Sequence, residues 1–137
     1  MSTEHNITLA RRFWEQAINQ RNLTILDEIM AADYIQHQAD VPPKRAGLKQ
    51  FLTMQFTAFP DTYATIEDII GEGDKVVTRT IIRATHTGQL LDIAATGKQV
   101  SIAVIDIWRV ADGQLAEHWG IVDNLGMMRQ LGVIPSP

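Results

Sequence analysis

Near its C-terminal end the chain reads Glu117-His118-Trp119-Gly120-Ile121-Val122-Asp123-Asn124, two carboxylates and an imidazole set among large apolar residues. A carboxylate walled in by Trp and aliphatic side chains loses hydration, so its pKa rises toward neutrality and it can take and return a proton. Strand alternation puts Leu115, Glu117, Trp119, Ile121 and Asp123 on one face and Ala116, His118, Gly120 and Val122 on the other. The bulkier set is the expected pocket face, with Asp123 at its end beside Trp119. Asp123 has a second reading, as the cap of a short helix over 124–131 whose first N–H groups its oxygen accepts. His118, on the opposite parity, faces a subunit contact unless a bulge intervenes.

His37 and His86 are further candidates, because imidazole titrates near working pH and pairs with carboxylates. Each also has a plainer reading as a hydrogen-bonded core or loop residue. Asp106 alternates with Val104 and Trp108, so a second carboxylate reaches the interior unless it pairs with Arg83 or Arg109. The aromatic residues Trp14, Tyr34, Phe59, Trp108 and Trp119 are the candidate walls of a substrate pocket, with His118 and Asp106 as its polar contacts. An Asp-Arg-Asp set around one water, suited to epoxide hydrolysis, would need Asp106, Asp123 and Arg83 or Arg109, but alternation places Arg109 opposite Asp106.

Other chemistries lack their residues. With no cysteine, disulfides and thiolate nucleophiles are excluded, and any covalent step must use oxygen or nitrogen. The four histidines stand in no His-x-His or His-Glu-x-x-His spacing, so no metal is expected. Gly71-Glu72-Gly73-Asp74 precedes no helix and is a turn, not a phosphate cradle, and no Gly-x-Ser-x-Gly occurs. No cofactor is expected.

The elements that must position these residues follow from periodicity. Ile7, Ala10, Phe13, Trp14, Ala17 and Ile18 recur at helical spacing behind a Ser2 or Thr3 cap, and Leu23, Leu26, Ile29 and Met30 continue as a shorter helix capped by Asn22. Residues 33–37 read as one more helical turn, ended by Pro42-Pro43. Leu48, Phe51, Leu52, Gln55 and Phe59 share a face of a third helix, which Pro60-Asp61 stops. The period then becomes two. Strands are expected over 62–70, 75–87, 98–110 and 114–123, with turns at 71–74 and 111–113 and a loop over 88–97. Helices first and hairpin-linked strands second describe an α+β domain with an antiparallel meander, one domain over 1–137. The 98–110 strand is apolar at both parities, so its outer face calls for cover by a second copy of the chain. Twelve basic against sixteen acidic residues, a net charge of -4, and no basic cluster argue against nucleic acid. No signal-peptide pattern opens the sequence and no apolar run could span a membrane, so the expected location is cytoplasmic.

Taken together, Ala58-Phe59-Pro60-Asp61, Gly71-Glu72-Gly73-Asp74-Lys75-Val76-Val77, Thr85-His86-Thr87-Gly88, Ala95-Thr96-Gly97-Lys98, Glu117-His118-Trp119 with Asp123-Asn124-Leu125, and Gln130-Leu131-Gly132 resemble the SnoaL-like polyketide cyclases, or ester cyclases, of the nuclear-transport-factor-2-like superfamily. The resemblance covers nearly the whole chain. It implies a cone-shaped α+β barrel with a deep cavity, a homo-oligomer packed through its sheet, and an intramolecular aldol reaction on a carbonyl compound without metal or cofactor. It also implies that Asp123 is the general acid/base, with His37 and His86 as the matching pocket histidines. Two rival expectations remain: a small-ligand-binding or dimerisation domain without catalysis, and the epoxide hydrolase-like activity.

Overall fold

The computed structural model describes residues 2–137. Helix α1 (Thr3–Arg12) is capped by Ser2, whose hydroxyl accepts the His5 N–H. It runs on as a wider π-helical segment, Phe13–Asn19, which turns Phe13, Trp14, Ala17 and Ile18 inward. Asn19 ends it by bonding both backbone groups of Ala64, tying the helix to the sheet's edge. A 3₁₀ turn, Leu23–Ile25, leads into the four-residue α2 (Leu26–Ile29). Asn22 precedes this turn but makes no side-chain bond to the helix backbone. The third helix, α3 (Lys44–Ala58), lies where its apolar spacing predicts, and α4 (Asn124–Leu131) closes the chain, ending at Gly132 with φ of 77°.

Five strands form one sheet in the order β1-β5-β4-β3-β2: β1 (Met30–Gln36), β2 (Tyr63–Glu72), β3 (Lys75–Thr85), β4 (Gln99–Ala111) and β5 (Gln114–Val122). The expected antiparallel meander is present in β2 to β5. Its fifth member is a correction: residues 33–37 are not a helical turn but the end of β1 and its exit, paired parallel to β5 through Ile35 and Glu117, then Gln36 and His118. The sheet is therefore mixed. It also remains open, with β1 and β2 as free edges, so the cone does not close into a barrel.

The helices pack on one face of this sheet, and the core lies between them, from Leu9, Trp14 and Leu26 to Trp108 and Leu115. Along β4 the even-numbered residues from Val100 to Val110 are buried, and the odd-numbered ones lie on the outer side. Complete burial of one such large apolar side chain contributes about 1.5–3 kcal/mol, so this one-sided pattern fixes the strand's register against a slip of one residue. The outer face is not covered within this chain: Ile105 is 51% and Ile121 77% exposed.

Between β4 and β5 the register shifts by one: Arg109 pairs with Glu117, but Val110 pairs with Leu115. Ala116 is the extra residue of a β-bulge. Simple alternation along β5 therefore fails. Leu115 points inward before the bulge, His118 points inward after it, and Glu117, Trp119 and Ile121 face out. The expectation that the bulkier set forms the pocket face is reversed for this reason.

Candidate functional site

A cavity of about 490 Å³ opens between the helices and the inner face of β3, β4 and β5. Its walls are mostly aromatic, aliphatic and Met side chains, including Trp14, Phe51, Phe59 and Met127. A few polar groups interrupt them, chiefly Asp106, His118, Gln38 and Asp40. Among the described residues no Lys or Arg lines it.

Asp106 and His118 meet on the sheet wall. His118 stands opposite Trp108 in the β4–β5 register, their rings 4.1 Å apart, and Asp106 is one step along the same face. His118 Nε2 lies 2.6 Å from Asp106 Oδ1, with both side chains buried. On its other side the His118 Nδ1 is 2.8 Å from Gln36 Oε1. That oxygen also accepts the Gln38 N–H at 2.9 Å, while Gln36 Nε2 donates to the Tyr34 hydroxyl. An amide oxygen cannot donate, so the His118 ring carries a proton on Nδ1. A second proton must then lie between Nε2 and Asp106 Oδ1, because two bare lone pairs would repel at that distance. Burial pushes the Asp106 carboxyl above its ordinary range, and the His118 hydrogen bond opposes the rise. The second oxygen, Oδ2, has no partner, and neither has Trp108 Nε1. Two cavity-lining residues, Asp106 and Trp108, thus each keep one buried polar atom, an acceptor and a donor, without a partner among the described residues.

Gly120 permits this approach. It pairs with Asp106 across the strands, and a Cβ there would stand 2.8 Å from Asp106 Oδ1, from Gln38 Oε1 and from His118 Cε1. Any side chain would push the pair apart or fill the space above it.

The candidates named from the sequence separate into three groups. Trp14, Phe59, Asp106, Trp108 and His118 line the cavity, Trp14 held by its Nε1–H to Thr78 Oγ1 at 3.3 Å. Tyr34 is buried one bond behind, its phenol pushed up to about 12 by burial, and His86 is buried under the 88–97 loop. Asp123, His37 and Trp119 lie elsewhere. Asp123 is exposed and caps α4, its Oδ1 accepting the Gly126 N–H at 2.9 Å, which is the helix-capping reading of that residue. His37 and Trp119 are on the outer face, rings stacked 5.0 Å apart, with His37 bonded to Glu117. Asp106 pairs with His118 and not with Arg83 or Arg109. Arg109 Nε donates to Glu117 on the outer face and Arg83 lies in an outward register position, so the Asp-Arg-Asp set is not assembled. Gln36 was missed, because only the parallel pairing of β1 with β5 brings its side chain to the ring, and Gln38, just beyond β1, was missed as a lining residue with it.

The family model for SnoaL-like polyketide cyclases matches residues 8–131. The chain is 32% identical over 138 residues, 96% of its length and 92% of the relative's, to the aklanonic acid methyl ester cyclase DnrD of Streptomyces peucetius. In structure it is similar to TsrD of Streptomyces laurentii (29% identity, TM-score 0.89, 98% of this chain and 99% of that one). It is likewise similar to IdmH of Streptomyces antibioticus (33% identity, TM-score 0.81, 93% and 98%). The chain belongs to the SnoaL-like polyketide cyclase family and shares the α+β fold of the solved SnoaL-like cyclases. That family is one of polyketide cyclases, and the curated relative is named as an ester cyclase.

Proposed function

We propose that the chain catalyses an intramolecular aldol-type ring closure on a neutral, largely apolar carbonyl compound, with the Asp106–His118 pair as its acid/base. The observation that carries this reading is that two lining residues of β4, Asp106 and Trp108, each keep a buried side-chain polar atom, Oδ2 and Nε1, without a partner among the described residues. With the shared proton on His118 Nε2, Asp106 is a carboxylate whose Oδ2 removes a proton from carbon between two carbonyls, an already acidic position. Trp108 Nε1–H donates to the enolate oxygen as it gains charge. The enolate carbon bonds to a second carbonyl carbon of the same folded substrate, and the new alkoxide takes the proton back from Asp106. No atom is lost, the carboxylate is restored, and no cofactor enters. Asp40 and the Asp106–His118 pair, with no Lys or Arg lining the cavity among the described residues, disfavour a free acid and suit an ester.

The test is exchange of the acidic C–H for deuterium in an aryl-tethered β-keto methyl ester, followed by NMR. Wild type accelerates exchange, Asp106→Asn loses about a thousandfold, within the usual range for a positioned base, and Asp123→Asn stays close to wild type. The reverse ranking would transfer the role to Asp123. Binding of the ester without exchange would leave a ligand-binding domain.

The reading extends to self-association. Ile105 and Ile121 pair directly across β4 and β5, and Ile70, Val77, Ile107 and Trp119 form the next row of the outer face. An apolar stripe of this kind suits a second copy of the chain. Sedimentation should give a dimer for wild type and a monomer for Ile121→Lys; a monomeric wild type would overturn it.

A further inference from the structure

Two motifs of the sequence, Thr85-His86-Thr87-Gly88 and Ala95-Thr96-Gly97-Lys98, play no part in the proton transfer above, yet the fold joins them. His86 N donates to Lys98 O at 2.9 Å and Gly97 N donates to His86 O at 2.8 Å. The ring adds a side-chain bond: Thr96 N donates to His86 Nδ1 at 3.2 Å. The Thr96 hydroxyl lies 3.0 Å from the same nitrogen while accepting the Lys98 N–H at 3.3 Å. Nδ1 is therefore an acceptor, and the ring proton sits on Nε2. His86 Nε2 is buried without a partner, and His86 is absent from the cavity wall, separated in kind from Phe59, the lining residue whose ring is 5.3 Å away.

The loop between the motifs is fixed at two further points. Gly88 N donates to Ala58 O at 3.1 Å, and a Cβ on Gly88 would overlap the Thr57 carbonyl, so the loop seats directly on the end of α3. At its tip Leu90 and Ile93 exchange backbone bonds of 2.9 and 2.8 Å. The stretch so held delivers Leu90, Leu91 and Ile93 to the cavity.

We propose that His86 is a positioning residue: its Nδ1 latches the 88–97 loop, and the latched loop is a fixed apolar wall that sets which ligands the cavity admits. This deepens the reading of the cavity as the ligand site. It differs from an acid/base role for His86, since one ring nitrogen is engaged by the loop and the other is enclosed. An Asn at this position can put its Oδ1 near the place of Nδ1 and keep the acceptor, whereas Phe cannot.

The experiment combines amide hydrogen exchange over 89–97 with binding of the neutral probe N-phenyl-1-naphthylamine. In His86→Phe, loop exchange should quicken and probe affinity fall by about tenfold each, the size of one lost hydrogen bond. His86→Asn should hold both within about threefold of wild type, because the acceptor is retained. Unchanged loop exchange in His86→Phe would overturn the proposal. Ring ¹⁵N spectra of the wild type need no variant to fold: an acceptor Nδ1 with the proton on Nε2 is expected, and a protonated Nδ1 would overturn it. None of these readouts needs a substrate. Failure of the Asp106 reading would show in deuterium exchange alone, leaving the latch standing.

Discussion

Strand β5 carries two His–carboxylate pairs on opposite faces, and they have nearly the same length. Inside, His118 Nε2 and Asp106 Oδ1 are 2.6 Å apart, with side chains 5% and 4% exposed. Outside, His37 Nε2 and Glu117 Oε2 are 2.7 Å apart, with side chains 41% and 17% exposed. The carboxyls nevertheless move in opposite directions. Burial raises Asp106, whereas the Arg109 hydrogen bond, followed by that of His37, holds Glu117 below the ordinary carboxylate range. Contact distance does not decide which pair can exchange protons with a ligand. Solvation and the third partner do: Glu117 spends one oxygen on Arg109 and the other on His37, while Asp106 keeps one buried oxygen without a partner among the described residues.

The strongest way to break this comparison is catalytic. Asp106→Asn should lower deuterium exchange of the β-keto ester by about a thousandfold and Glu117→Gln by less than about twofold, measured side by side. Equal losses would mean that the outer pair also serves the reaction. Stability gives the next contrast. His118→Ala leaves a buried carboxyl without its partner and should cost about 3 kcal/mol in urea unfolding, against less than about 1 kcal/mol for His37→Ala on the outer face. Gly120→Ala should cost about 1–3 kcal/mol in the same assay, by crowding the inner pair.

The smallest effect sharpens the comparison by sign. A raised Asp106 favours the folded state below about pH 4, and that contribution is lost as pH rises through its folded value. The melting temperature of Asp106→Asn minus that of wild type should therefore climb as pH rises from about 4. A lowered Glu117 favours the folded state above about pH 4, and that contribution is lost as pH falls through its folded value. The same difference for Glu117→Gln should become more negative with rising pH. Parallel slopes would contradict the assignment of the two environments.

Much of the frame was legible before folding. The spacing of Leu48, Leu52 and Phe59 announced α3, and the alternation around Val100 to Val110 placed Asp106 and Trp108 on the buried side, where they are found. Ser2 and Asp123 were readable as caps because a short acceptor before a helical run has few other uses. Two of the corrected expectations share a cause in pairing between distant segments. Residues 33–37 show no clean period of two, their burial being set by a parallel partner some eighty residues away, so they read as helix. The bulge at Ala116 depends on how the hairpin at Asp112-Gly113 meets β4, and it reversed the faces assigned to Glu117, His118 and Trp119.

The sequence by itself determined the main helices and the four strands of the meander, the absence of thiol chemistry and much of the set of residues from which a site had to be drawn. Those properties follow from local periodicity and from side-chain chemistry, which each residue carries with it. Tertiary structure decided which carboxylate is dry, which histidine it meets, and that Gln36 fixes that histidine's tautomer. Each of these depends on desolvation and on partners brought together across the sheet. A one-residue bulge was enough to exchange the inside and outside of β5 beyond Ala116.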